Sequence, residues 1–208
     1  MELIINGKYK IGPTLGKGSF GLLYSGKNVK SNELVAIKLE HLQSLQPQLQ
    51  YEAKIYRNLK NGTGFSQIYW DGIQDDYYCM VMTMLGPNLK QLFDFCNQKF
   101  TIKTCLMIGI QMIDRLQFMH DQGYVHRDMK PENICIGQHK KAGMVYLIDF
   151  GLTKRYRNPS SGQHIEQKKS NGIVGTIRYL SKRANMGLEQ SRVDDLFSLG
   201  YILVMFLR

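Results

Sequence analysis

The spacing of apolar residues changes once along this chain, and the change falls near residue 86. Before it the pattern is that of strands. Positions alternate from Tyr9 to Leu15, and a glycine cluster leads into Phe20-Gly21-Leu22-Leu23-Tyr24-Ser25-Gly26. A turn at Lys30-Ser31-Asn32-Glu33 precedes the compact run Leu34-Val35-Ala36-Ile37-Lys38-Leu39. Pro47 opens a helical stretch with Leu49, Ala53, Tyr56 and Leu59 near one face, and Asn61-Gly62-Thr63-Gly64 stops it. Two further strands are predicted over 66–70 and 77–85, separated by Asp75-Asp76. Residues 1–85 thus read as a small antiparallel lobe of five strands and one helix.

Gly86-Pro87-Asn88 breaks this pattern and reads as a hinge. Beyond it the period is helical: a short helix holding Leu89, Leu92 and Phe93, then a long one from Thr101 to His120. Leu106, Ile110, Ile113 and Leu116 trace a stripe on the long helix, with Cys105, Met112 and Met119 beside it, and the stripe is expected to face the core. Short strands are expected at Ile134-Cys135-Ile136 and 145–148, and an apolar helix from Leu196 to Leu207. The fold class expected is α+β, with residues 86–208 a mainly helical second lobe.

Composition narrows the setting. With 43% hydrophobic and 21% charged residues in 208, the chain can build a core and is not of the disordered class. The net charge of +10 points to acidic partners, whether nucleic acid, an anionic surface or acidic protein. Cys79, Cys96, Cys105 and Cys135 are scattered, which fits a reducing compartment, and the five His show no metal-ligand spacing. Met1-Glu2-Leu3-Ile4-Ile5-Asn6 lacks the basic start and apolar length of a signal peptide, and no run is long enough for a membrane span. The expectation is a cytoplasmic protein, with the nucleus a second compartment.

The chemistry is concentrated in His126-Arg127-Asp128-Met129-Lys130-Pro131-Glu132-Asn133 and in Asp149-Phe150-Gly151. Phosphoryl transfer needs a carboxylate to take the proton of the attacking hydroxyl, and oxygen ligands for the Mg²⁺ that rides on nucleotide phosphates. Asp128 suits the first task, Lys130 would stabilise charge on the moving group, and Asn133 with Asp149 would ligate the metal. Gly16-Lys17-Gly18-Ser19-Phe20-Gly21 fits G-x-G-x-x-G followed by a strand rather than a helix, so it reads as a flap over phosphates and not as a dinucleotide fingerprint. Lys38, in Val35-Ala36-Ile37-Lys38, would meet the α- and β-phosphates, with Glu52 as its partner carboxylate. Asp195 is either a buried anchor for the catalytic loop or an ordinary helix-start carboxylate.

In this order these motifs resemble the eukaryotic protein kinases, and the loop holding Lys130 resembles their serine/threonine branch. A closer resemblance, from about residue 9 onward, is to the casein kinase 1 family. It rests on Leu39-Glu40, Pro47-Gln48-Leu49, Val81-Met82, Leu85-Gly86-Pro87-Asn88-Leu89 and Leu92-Phe93-Asp94-Phe95-Cys96. Further on, Gln163-His164-Ile165, Gly175-Thr176, Arg178-Tyr179 and Gly187-Leu188-Glu189-Gln190-Ser191-Arg192 extend it. The resemblance implies a bilobal kinase domain over 1–208, a serine/threonine protein kinase using ATP and Mg²⁺, and substrates that are acidic or already phosphorylated. It implies Met82 as gatekeeper and Thr83 to Leu85 as the adenine-binding hinge. With them Leu15, Gly16, Gly18, Gly21, Leu23, Ala36, Lys38 and Glu52 complete the ATP site. It also favours the anchor role for Asp195.

Basic residues crowd the segment after Asp149, and Arg127, Lys154 and Arg178 are the candidates for an anion site on the substrate side. The chain departs from the resembled family at three places. Ser181-Lys182-Arg183 stands where that family has Ser-Ile-Asn, and Thr83 stands where an acidic residue is usual. Relatives also continue past the apolar helix for several more helices, whereas this chain stops at Arg208. Tyr201 to Leu207 are therefore expected to have few partners within the chain, and a partner covering that helix is expected. The alternative function is a catalytically silent nucleotide-binding or scaffolding module. Nucleic-acid binding rests on net charge alone and is not expected.

Overall fold

The computed structural model describes residues 3–18, 21–170 and 172–208. Met1 and Glu2 of the N-terminal segment and Ser19 and Phe20 of the glycine-rich motif lie outside them. The chain divides into two compact units, Met1–Lys60 with Ser66–Leu85, and Asn61–Phe65 with Gly86–Arg208. Residues 61–65, of which Asn61 to Gly64 are expected to stop a helix of the first lobe, thus pack with the second unit.

Six antiparallel strands build the first unit: β1 (Ile4–Ile5), β2 (Tyr9–Gly18), β3 (Gly21–Asn28), β4 (Leu34–His41), β5 (Ile68–Gln74) and β6 (Tyr77–Thr83). Their order is β1-β2-β3-β4-β6-β5. One strand more is present than the sequence predicts, because Asn6 and Gly7, both at positive φ, fold Ile4–Ile5 back onto β2. β4 is buried along most of its length on both faces. Val35, Ile37 and Leu39 join Ile5, Tyr9, Cys79 and Val81 in a core on one side. Ala36, Lys38 and Glu40 point to the other, by the two-residue period of a strand.

The helix α1 (Leu49–Asn58) follows β4. Gln48 offers no side-chain cap; the buried Glu40 supplies one, accepting from the Gln48 and Leu49 N–H groups at 3.0 Å. Leu49, Glu52, Ala53, Ile55 and Tyr56 are its buried residues.

The second unit opens with α2 (Leu89–Phe95), begun by a capping box in which Asn88 and Gln91 exchange side-chain to backbone bonds. α3 (Ile102–Asp121) starts at its Thr101 cap. Its buried face is Cys105, Ile108, Met112, Leu116 and Met119, whereas Leu106, Ile110 and Ile113 are 61%, 63% and 51% exposed. Three of the four residues of the expected core stripe therefore face outward. The helix is apolar on nearly every side, so both series recur at helical spacing and periodicity cannot choose between them. Packing chooses: Gly109 lies against Leu203, and the buried Arg115 reaches the Val145 carbonyl with its Nε at 3.2 Å.

Two short ribbons follow. β7 (Tyr124–Val125) pairs with β10 (Lys154–Arg155), and β8 (Ile134–Ile136) with β9 (Val145–Leu147). α4 (Lys182–Asn185) and α5 (Arg192–Leu207) complete the unit. The expectation of few partners for the end of α5 fails for half of it. Ile202 and Phe206 are wholly buried, and the Phe206 ring stands 5.1 Å from Phe93 and 4.9 Å from Phe100 between centroids. Tyr201, Val204 and Leu207 on the other side are exposed. Among the described residues no helix is long and apolar enough to cross a membrane.

Candidate active site

The catalytic loop begins where β7 ends, and it is held from below by one side chain. Asp195, in the first turn of α5 and 1% exposed, accepts from the His126 N–H through Oδ2 and from the Arg127 N–H through Oδ1, both at 2.9 Å. His120 Nε2 meets the same Oδ2 at 2.9 Å. Asp195 is thus a buried anchor as well as a helix-start carboxylate. These bonds hold Arg127 at φ 69°, a conformation a bulky side chain rarely adopts, costing about 1–3 kcal/mol. Its Nε donates to the Leu152 carbonyl at 2.7 Å. His126 adds a local brace: its Nδ1 accepts from the Asp128 N–H at 3.2 Å while Nε2 meets the Ile148 carbonyl at 3.1 Å.

Asp128, presented by this frame, is 7% exposed, and both of its carboxylate oxygens are engaged. Oδ1 accepts from the Thr176 hydroxyl at 2.7 Å. Oδ2 accepts from Lys130 Nζ at 2.7 Å and from Asn133 Nδ2 at 3.2 Å. Burial pushes this carboxyl up, but the hydrogen bonds from Lys130 and Thr176 and the Lys130 charge outweigh it and hold the group below the ordinary Asp value. The result is an ionised carboxylate at neutral pH, positioned from three directions. Thr176 can approach because residue 175 is glycine. At φ 96°, a Cβ there would lie 2.3 Å from the Arg127 carbonyl oxygen.

The metal candidates lie at the next ribbon. The Ile148 N–H donates to the Asn133 carbonyl at 3.0 Å, which brings Asn133 beside the residue preceding Asp149. Asn133 also commits its amide nitrogen to the Asp128 carbonyl at 2.9 Å, which directs its side-chain oxygen away from that bond. Asp149 is half-buried at φ 67°, tolerable for an Asp. An amide oxygen and one carboxylate form a hard donor pair suited to Mg²⁺, which takes one or two protein carboxylates and completes its shell from phosphates and water. Among the described residues no group of three His, Cys, Asp or Glu could hold a metal ion by itself.

In the first unit Lys38 Nζ lies 2.5 Å from Glu52 Oε2, with side-chain exposures of 17% and 3%. Sheet register places Leu23 opposite Lys38, and Lys38 opposite Met80, with Ala36 opposite Met82. Directly opposed residues share a face, so Leu23, Ala36, Lys38 and Met82 line the side of the sheet that carries the ion pair. Gly16 pairs with Leu23 and Gly18 with Gly21 in the β2-β3 hairpin, and Gly21 passes so close to β4 that a Cβ would stand 2.2 Å from the Leu39 carbonyl oxygen. Leu15 is 50% exposed on β2. Thr83 ends β6 opposite Val35, on the other face, with its N–H bonded to the Gln67 carbonyl at 3.0 Å; Leu85 follows beyond the sheet.

The three anion candidates sit on three separate elements. Arg127 is half-buried in the catalytic loop, Lys154 on β10 is ion-paired with Glu189, and Arg178 is exposed in the turn of 177–179. Sequence reasoning singled out Asp128, Lys130 and Asn133, but gave Thr176 no role. The available signal was Gly175, a glycine directly before a hydroxyl residue. Residues 9–208 match the family model described as Protein kinase domain. That match spans nearly the whole chain and agrees with the anchored loop, the engaged Asp128 and the Lys38–Glu52 pair: the chain belongs to the protein kinase family.

Proposed function

We propose that this chain is a serine/threonine protein kinase of the casein kinase 1 type, acting on acidic or phosphorylated protein substrates. The observation that carries the reading is Asp128, an ionised carboxylate fixed between Lys130 and Thr176. When bound, Mg²⁺-ATP supplies the γ-phosphoryl group. Asp128 orients the substrate hydroxyl and takes its proton as the new O–P bond forms and the bond to the β-γ bridging oxygen breaks, releasing ADP. Lys130 would neutralise charge growing on the transferred group, Lys38 would hold the α- and β-phosphates, and Asn133 with Asp149 would ligate the cation. Glu52 keeps the long Lys38 side chain in one place, which otherwise costs about 1.5–2 kcal/mol of rotamer entropy. The serine/threonine assignment is supported by Lys130 two residues after the catalytic carboxylate. The preference for acidic substrates is supported by the net charge of +10 and the basic residues after Asp149.

The test is transfer of labelled phosphate from Mg²⁺-ATP to an acidic Ser-containing protein. Asp128→Asn, Lys38→Met and Asp149→Asn are each expected to cut transfer at least a hundredfold, with the fold intact by circular dichroism. A folded wild-type chain that raises its melting temperature with Mg²⁺-ATP but transfers nothing would replace the enzyme reading with a silent nucleotide-binding module. Full activity of Asp149→Asn would defeat the metal assignment.

A further inference from the structure

Helices α3 and α5 lie side by side and antiparallel. The Phe100 N–H, just before α3, donates to the Phe206 carbonyl near the end of α5 at 3.2 Å. At the other end His120 meets Asp195 at 2.9 Å, and between them Gly109 lies against Leu203. Because the two helices run in opposite directions, their exposed stripes turn to the same side of this layer. Leu106, Ile110 and Ile113 of α3 and Leu196 and Val204 of α5 stand on that side, all exposed. The stripes are continuous, since Ile113 and Leu196 line one groove of about 500 Å³.

This face carries little charge. Between Val193 and Leu207 the charged side chains of α5 are Asp194 and Asp195, and both are buried. Ile102 to Ile113 spans about 17 Å and Val193 to Leu207 about 21 Å, on two helices each about 10 Å wide. The face therefore covers about 400 Å², as large as the main apolar patch of a typical monomer, which is often functional. One partner in a standard interface contributes about 800 Å², an apolar core within a polar rim, and this face is large enough to be such a core. Gly200 lies in the middle of the α5 stripe, where a Cβ would meet nothing within 4 Å. It leaves a hollow that a side chain from outside can enter.

Charge at the rim selects the occupant. Lys103 and Asp114 are about three helical turns apart, so both stand on one flank of the α3 stripe, the flank away from α5. Both are exposed. Lys103 forms no ion pair among the described residues, and Asp114 has only Arg115, at 3.9 Å. A two-fold axis across the stripe keeps each flank on its own side and reverses the order along it. A second copy of α3 facing the first then sets each Lys103 beside the other copy's Asp114, with Leu106 and Ile110 meeting between the two pairs. The same operation lays α5 against its own copy, crossing near the hollow at Gly200.

We propose that this face is the contact of a symmetric dimer, in which the α3–α5 layer of one copy packs against that of a second. The inference does not depend on the kinase reading.

The test is sedimentation velocity of the full chain over about a hundredfold dilution. The wild type is expected to pass from dimer to monomer, and at the dilute end it is the monomer described above, with Ile110 exposed. Ile110→Lys puts a charge into the apolar centre without touching the core, and should be monomeric throughout with an unchanged circular dichroism spectrum. Lys103→Glu and Asp114→Lys each replace two attractive pairs by two repulsive ones, and each should weaken the dimer about tenfold. An equimolar mixture of these two variants should recover a dimer, because in the mixed pair both contacts are again between opposite charges. A wild type that is monomeric at every concentration gives the face to another partner and overturns the proposal. So does a dimer that survives Ile110→Lys, polydisperse aggregation in place of a dimer, or charge variants that do not recover on mixing. Should Ile110→Lys fail to fold, the mixture decides, since both of its altered positions are exposed.

Discussion

At Asp128, burial and hydrogen bonding pull in opposite directions, and hydrogen bonding wins. The carboxyl sits below its ordinary pKa because Lys130 and Thr176 donate to its charged form. A group whose folded pKa is depressed contributes stability that is present above its unfolded pKa and is lost as pH falls through the folded value. Activity that needs the carboxylate follows the same limb, so transfer should persist to below the usual Asp range before it fails. Thr176→Val removes one donor without touching Lys130 or the metal candidates, and a hydrogen bond to a charged group is worth about 1.5–3 kcal/mol. The acid limb of kcat/KM against pH should then move to higher pH, with transfer at neutral pH reduced but measurable. A limb that stays in place would mean that Thr176 does not help to set the charge on Asp128. This pairing spans 48 residues. Nothing local announces it, whereas Asp128, Lys130 and Asn133 lie within one short run whose chemistry can be read directly.

Helices and strands divide along the same line between local and distant information. The β2-β3 hairpin, β4 with its inward Lys38, and the β8-β9 ribbon are legible because glycine turns and short apolar runs mark them in the sequence. β1 and β10 are two-residue strands made by pairing alone, and no pattern that short can announce them. α3 shows the difference most clearly: its existence was plain, but not its buried face. Packing against α5 and the Val145 carbonyl selects Met112 over Ile110, although both residues recur at helical spacing. Denaturant unfolding can check that selection. Met112→Ala, wholly buried, should destabilise the chain by about 2–5 kcal/mol. Ile110→Ala, mostly exposed, should stay within about 0.5 kcal/mol of wild type. Similar losses at both sites would mean that both faces of α3 are covered in solution.

Across the whole molecule, the excess of positive charge acts as a diffuse field, and salt tests how much of an acidic preference it carries. A net charge of +10 attracts any acidic peptide from a distance, independently of which lysine or arginine it meets. That field is screened over about 10 Å at 0.1 M salt and about 3 Å at 1 M. Raising ionic strength from 0.05 to 0.5 M, values on the order of those that span this screening range, should therefore raise KM for an acidic, unphosphorylated peptide several-fold. Its kcat should hardly move, because Asp128 and Lys130 are packed against each other inside the loop. A KM that stays in place would mean that the acidic preference rests on short, partly buried contacts and not on the general field.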